Sequence, residues 1–226
     1  MESDASPSSH RRPLDERFDA VKNDLLRMGD LVVRAIDRSV QAWSRRDRSL
    51  AEQVVAGDAE LNRMRYEVEE SCLALIATQQ PAAGDLRAIL AMDAIAVELE
   101  RMGDHAEGIA KIVLRMGDDP PAAPLDEIPQ MAELCRSMLK QSLDTFVARD
   151  PQAALRVGEE DDKIDRLYRE LFDRLVAAMA REPSIVERGT YLLWIAHNLE
   201  RIGDRITNIS ERVIFMTTGQ ISMVYP

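Results

Sequence analysis

Aromatic residues make up only 4% of this 226-residue chain, and it has none of the β-branched, aromatic-rich runs that mark strands, which argues against a sheet-built fold. No stretch approaches the roughly 18 uncharged apolar residues of a membrane span. Cysteine is nearly missing: Cys72 and Cys135 have no metal-type spacing, and both read as buried, reduced thiols. Basic charge is short, with 29 Lys and Arg against 40 Asp and Glu and a formal net charge of −11. That balance argues against nucleic acid as a partner and suits cations or basic protein faces. Residues 2–13 are polar and lack the apolar core of a signal peptide, so the expectation is a cytoplasmic, soluble protein. No serine, cysteine or lysine stands in a recognisable nucleophile setting, which leaves generic hydrolase chemistry unsupported.

What fills the chain instead is Ala, Leu, Arg, Glu, Asp and Met, a helix-forming usage, and one phrase occurs twice. Leu99-Glu100-Arg101-Met102-Gly103-Asp104 returns as Leu199-Glu200-Arg201-Ile202-Gly203-Asp204. Between 92–113 and 192–213, nine of twenty-two positions are identical, too many for chance. A period near 100 residues exceeds any short solenoid unit and implies two domain-sized halves.

Helical periodicity begins near Leu14 and runs through Leu25, Met28, Val32, Ile36, Val40 and Trp43. A polar junction at residues 44–48 precedes a second helix with Ala51, Val54, Leu61, Val68 and Leu75 on one stripe. Gln80-Pro81-Ala82-Ala83-Gly84-Asp85 ends it, with Asp85 as the expected N-cap of a third helix. Residues 118–125 are a Pro-rich linker, after which the pattern restarts. Met131, Leu139, Leu143, Phe146 and Asp150 match Met28, Ile36, Val40, Trp43 and Asp47 at an offset of 103. The predicted fold is all-α: two tandem three-helix bundles, six long helices related by an internal pseudo-twofold repeat. The predicted boundaries are 1–13 disordered tail, 14–117 first bundle, 118–125 linker, 126–216 second bundle and 217–226 C-terminal tail.

The third helix carries an acidic row, Asp93, Val97, Glu100, Asp104, Glu107 and Lys111, bordering an apolar one. Its counterpart is Leu193, His197, Glu200, Asp204, Thr207 and Glu211. Like charges at i, i+4 are mutually destabilising by a few tenths of a kcal/mol unless compensated. Here they flank Gly103 and Gly203, and a mid-helix glycine is itself about 1 kcal/mol less favourable than alanine. Glycine there admits a neighbouring helix backbone. The second helix of each half offers Asp58 and Asn62, or Asp161 and Asp165, again at i, i+4. The predicted convergence is Asp58, Asn62, Glu100 and Asp104 in one half, and Asp161, Asp165, Glu200 and Asp204 in the other. Such oxygen sets favour Mg²⁺, Mn²⁺, Ca²⁺ or iron over thiolate-loving metals. A solvated helix flank is the plainer reading of any one such pair. His197 reads either as a structural residue or as one nitrogen ligand, and Arg101 and Arg201 as ion-pair partners or phosphate contacts.

These motifs, with Gly57-Asp58-Ala59-Glu60-Leu61-Asn62 and Gln80-Pro81-Ala82-Ala83-Gly84-Asp85-Leu86-Arg87, resemble the PhoU family over nearly the whole chain, from about Phe18 to Gly219. The resemblance implies a negative regulator of phosphate uptake and of the phosphate-starvation response. It further implies partners, namely the ATPase subunit of the phosphate ABC transporter and a sensor histidine kinase. Homodimers and bound metal ions (iron, Mn, Mg or Zn) in the repeated carboxylate motifs are also implied, without enzymatic activity or direct membrane insertion. Asn62 stands where many members have a carboxylate, which implies weaker binding in the first half. Two other classes remain: a passive helical scaffold, and a carboxylate-bridged di-iron enzyme. The latter typically needs paired Glu-x-x-His motifs, which this chain lacks.

Overall fold

The structure, a computed structural model, describes residues 7–116 and 125–220, with side chains from Leu14 onward. Within them the chain forms α1 (Pro7–Arg45), α2 (Arg48–Gln79) and α3 (Ala83–Met116), then α4 (Glu127–Ala148), α5 (Pro151–Glu159), α6 (Asp161–Arg181) and α7 (Val186–Thr218). A single 3₁₀ turn, Pro183–Ile185, leads into α7. There is no strand among the described residues. The helix α1 begins at Pro7, inside the stretch read as a tail. Of the segments read from sequence, 1–6, residue 117 at the end of the first bundle, most of the linker (118–124) and 221–226 lie outside the described residues.

Six rods result, one of them broken. α5 and α6 together replace α2, with Glu160 between them. The break is a local tightening: Glu160 N–H reaches Val157 O at 3.1 Å and Lys163 N–H reaches Glu160 O at 3.0 Å. Gly158 precedes it, and the acidic run Glu159-Glu160-Asp161-Asp162 spans it. The break starts α6 at Asp161, where the partial positive charge of a helix N-terminus favours anions. A second correction concerns α3, which starts at Ala83. Asp85 is therefore in its first turn rather than at the cap, and still meets the helix dipole.

The repeat extends into the turns. Arg46 and Arg149 both adopt left-handed backbone, φ 55° and 53°. Each is followed by an aspartate that caps the next helix. Asp47 accepts from Leu50 N–H at 2.9 Å, and Asp150 from Gln152 and Ala153 N–H at 3.0 Å. Such caps contribute about 1 kcal/mol each.

The two halves share one core. A single cluster of buried side chains runs from Leu25, Met28 and Ile36 through Leu99, Met102 and Ile109 to Met131, Met138, Ile195 and Leu199. Its spine is the contact between α3 and α7, the most extensive in the molecule. The approach is close at Gly108, where a Cβ would stand 3.0 Å from Asn198 Oδ1 on α7. Polar side chains fix their register. Arg205 donates to Glu98 at 3.4 Å, Asn208 donates to Glu98 at 3.2 Å, and His105 Nδ1 meets Asn198 Oδ1 at 3.1 Å. Going from Glu98 to His105 on α3 moves the partner back from Arg205 to Asn198 on α7, so the helices are antiparallel. Glu98 and Asn198 are equivalent under the repeat, as are His105 and Arg205. The seam is therefore a pseudo-twofold contact of one helix with its own repeat. α1 and α4 pack as a further pair of repeats, tied by Arg136 to Asp37 at 2.6 Å.

Both thiols are buried as expected: Cys72 donates to Ile89 O at 3.8 Å and Cys135 to Leu199 O at 3.3 Å. Burial pushes the Cys72 thiol up to about 12 and the Cys135 thiol higher still. Both are inert at neutral pH.

Helix glycines test this packing. A Cβ on Gly57 would meet nothing within 4 Å, so Gly57→Ala should raise unfolding free energy by about 1 kcal/mol through helix propensity. Leu99, fully buried on α3, should lose about 2–5 kcal/mol as Leu99→Ala. Urea unfolding followed by circular dichroism checks both, and a destabilised Gly57→Ala would contradict this packing.

Candidate carboxylate sites

The two carboxylate sets lie on matched hairpins. In the first, Asp58 and Asn62 on α2 face Glu100 and Asp104 on α3; in the second, Asp161 and Asp165 on α6 face Glu200 and Asp204 on α7. Gly103 and Gly203 set the approach. A Cβ on Gly103 would stand 2.5 Å from Leu61 Cδ1 and 3.4 Å from Asp58 Oδ1. One on Gly203 would run into Asp161 Oδ1 and come within 3.1 Å of Ile164 Cδ1. Glycine here makes room for the aspartate of the facing helix, so the same residue that permits close packing seats the carboxylate.

The second cluster is the deeper and the more charged. Asp161 is only 5% exposed. Burial, then the charges of Asp165, Asp204, Glu200 and Asp162, push its carboxyl up to about 7. Glu200 is raised to about 6 by burial and then by Asp204, against the lowering influence of Arg201. Asp165 is raised by burial and by Asp204. Three of these groups thus feel one another across the α6–α7 boundary. Asp161 Oδ1 has no hydrogen-bond partner. Glu200 Oε2 lies 3.3 Å from His197 Nδ1 without the geometry of a hydrogen bond. Arg201 pairs with Asp204 at 2.6 Å, the ion-pair role read for it. His197 is half exposed, with its ring 6.0 Å from that of Tyr168.

In the first cluster the same arrangement is tempered. Asn62 donates to Asp58 Oδ2 at 2.6 Å, and Lys111 pairs with Glu107 at 2.5 Å. Asp58 is raised by burial, then Asp104 and Glu107, and lowered by Asn62 and Lys111. Glu100 and Asp104 are likewise raised, burial first. Asp58 Oδ1 remains unpartnered. Arg101 is exposed and makes no ion pair among the described residues.

The sets are gathered but not closed. Among the described residues, no three His, Cys, Asp or Glu side chains are arranged to hold a metal ion as they stand. The donor chemistry fits a hard cation, and the orphaned Asp58 Oδ1, Asp161 Oδ1 and Glu200 Oε2 supply unsatisfied acceptors.

Sequence reasoning missed the polar seam of Glu98, His105, Asn198, Arg205 and Asn208. Its signal was present only as different residue types at equivalent positions, which an identity search discards. Burial holds His105 below its usual pKa, against the Asn198 hydrogen bond, and Arg205 and Arg201 lower it further.

The raised carboxyls fix a pH dependence. A carboxyl whose folded pKa lies above its unfolded value favours the folded state when protonated, and that advantage is lost as pH rises through the folded pKa. Chelated protein should therefore lose stability from about pH 4 to pH 7, the interval between the unfolded and folded values of Asp161. Asp161→Asn should flatten that slope and be the more stable form at pH 8. Denaturant unfolding across this range checks it, and an unchanged slope would contradict the buried carboxyl.

Comparison with known proteins agrees with this duplicated geometry. The family described as "PhoU domain" matches residues 25–113 and 128–213, one stretch in each half. A Clostridium acetobutylicum protein named phosphate-specific transport system accessory protein PhoU homolog is 36% identical over 93% of this chain and 96% of its own length. One of the same name from Aquifex aeolicus is 34% identical over 91% and 93%. The crystal structure of PhoU from Pseudomonas aeruginosa superposes with a TM-score of 0.87 at 32% identity, covering 91% of this chain and 99% of that one. The phosphate transport system regulatory protein PhoU from Streptococcus pneumoniae gives 0.87 at 31% identity, covering 92% and 99%. With matches in both halves and relatives aligned along nearly its full length, this chain belongs to the PhoU family.

Proposed function

We propose that this protein is an accessory regulator of phosphate-specific transport, repressing phosphate uptake and the starvation response when phosphate is plentiful. It acts as a cytoplasmic adaptor, without catalytic activity, between the ATPase subunit of the phosphate ABC transporter and a sensor histidine kinase. The observation that carries this reading is end-to-end similarity to proteins named for that transport system. The architecture supports it: long helices leave extended faces, and enclosed pockets are the usual home of small-substrate chemistry. No helix among the described residues is long and apolar enough to cross a membrane, so the membrane is reached through those partners. Deleting the gene should leave the starvation response on in abundant phosphate, read by a phosphate-responsive reporter and by phosphate uptake. Normal repression in a strain with no second copy would refute the reading.

We also propose that each carboxylate set takes up a metal ion, with Asp161, Asp165, Glu200 and Asp204 the stronger site and Asp58, Asn62, Glu100 and Asp104 the weaker. A bound cation would relieve the mutual repulsion of these carboxylates and satisfy the orphaned oxygens. The second set has four carboxylates where the first has three and an amide, and hard cations gain from ligand charge. Protein purified without chelator should carry metal by elemental analysis, and Glu200→Ala with Asp204→Ala should lose more of it than Glu100→Ala with Asp104→Ala. Equal metal content in wild type and both variants would refute this proposal.

A further inference from the structure

Most large apolar side chains are buried, but four of those left exposed gather at the free end of the α2/α3 hairpin, Leu73, Ile76, Leu86 and Leu90, with Tyr66 exposed further down α2. Leu73 and Tyr66 are each 60% exposed, and Leu90 49%. Helix spacing sets those on each helix along one face. On α3, Leu86 and Leu90 lie on the row that continues through Asp93 and Val97 to Glu100 and Asp104. On α2, Tyr66, Leu73 and Ile76 share a stripe with Glu69 and Glu70. The antiparallel contact that sets Cys72 against Ile89 brings the two stripes side by side. The outer face of this hairpin is thus apolar at its tip and acidic about two turns inward, roughly 10 Å along the helix.

The acidic border is lopsided. Glu69 is paired with Arg65 at 3.1 Å, whose guanidinium also lies over the Tyr66 ring at 4.6 Å. Glu70 and Asp93 have no ion pair among the described residues, and burial and Glu69 both push the Asp93 carboxyl up. The second hairpin also exposes apolar side chains: Phe172, Val176, Val186 and Trp194 are all 41–46% exposed. Val176 and Val186 stand where the first half has Leu73 and Leu86. An exposed apolar tip retained in both halves, with different side chains, points to use rather than to accident.

We propose that the outer face of the α2/α3 hairpin docks an amphipathic helix of a protein partner. That helix would lay apolar residues on Leu73, Ile76, Leu86 and Leu90, and carry lysine or arginine about two turns further on, toward Glu69, Glu70 and Asp93. Charge complementarity selects this occupant. A second copy of the chain seated on the same face would bring acidic borders together, and an anionic lipid surface would meet the same repulsion. An amphipathic helix in a groove with i, i+3, i+4 and i+7 anchors is an established mode of recognition. Glu69, Glu70 and Asp93 lie outside the sets proposed to hold metal, so docking does not require an ion.

This assignment rests on the adaptor reading, and one titration separates the two. Fluorescently labelled protein is titrated, in chelator, with the purified transporter ATPase subunit and separately with the cytoplasmic region of the sensor kinase. Wild type should bind at least one of them, more weakly as salt rises. Leu73→Ser with Leu90→Ser should weaken that binding about tenfold or more, on the scale of anchor residues at interfaces, and so should Glu70→Lys with Asp93→Lys. These side chains are exposed or half-buried, and unchanged melting shows that each variant is folded; either variant suffices if the other is not. Wild-type affinity in both folded variants overturns the docking surface and leaves the adaptor reading standing. Failure of wild type to bind either partner overturns both. Self-association or vesicle binding that depends on Leu73 and Leu90, in place of partner binding, overturns the choice of occupant.

Discussion

The contact on which the rest of the molecule depends is that of α3 with α7. At Gly108 of α3 a Cβ would already stand 3.0 Å from Asn198 Oδ1 of α7, so the helices come close there. Close approach buries Leu99, Met102, Leu199 and Ile202 in one core. A fully buried side chain of that size gains roughly 1.5–3 kcal/mol over an exposed one. The polar seam adds register rather than bulk stability. Glu98 is nearly buried and needs Arg205 and Asn208 to satisfy it, so a slip of one turn would strand a carboxylate in the core.

Gly103 and Gly203, on the faces of α3 and α7 turned to α2 and α6, tie this spine to the candidate sites. Their faces receive Leu61 and Asp58 in one half, and Ile164 and Asp161 in the other. Packing and site geometry are consequently one constraint. A larger residue at 203 would push Asp161 away and alter the charge of the whole cluster. The clusters then diverge through their neighbours. Asn62 and Lys111 moderate the first, whereas Asp165 and Glu211 at the matching positions leave the second strongly acidic.

Much of this was legible in the sequence because it rested on periodicity and repetition. The apolar stripes of α2, α3 and α7 followed from spacings of three and four, and Asp47 and Asp150 were matched before their capping roles were visible. The facing helices of each hairpin could be inferred from the paired i, i+4 oxygens. What was not legible depended on opposition rather than repetition. The antiparallel partnering of Glu98 with Arg205 joins unlike residues more than a hundred positions apart, and no local pattern announces it. The break at Glu160 was hidden because the acidic run that spans it also fits a helix surface. The early start of α1 went unseen for a similar reason: residues 7–13 are polar and proline-bearing, and lack the apolar rhythm on which such readings rely.

The pseudo-twofold character of the α3–α7 seam has a consequence for how such a chain can vary. A single half, taken alone, would expose a helix face whose natural complement is that same face on a second molecule. It would pair as a symmetric dimer, with both carboxylate sets obliged to be identical and the assembly dependent on concentration. Joining the halves in one chain replaces that bimolecular step with an intramolecular one. It also releases the two sets from identity. Asn62 opposite Asp165, and Lys111 opposite Glu211, are differences that no symmetric dimer could maintain. The covalent link thus gives the protein two chemically distinct surfaces on one symmetric frame.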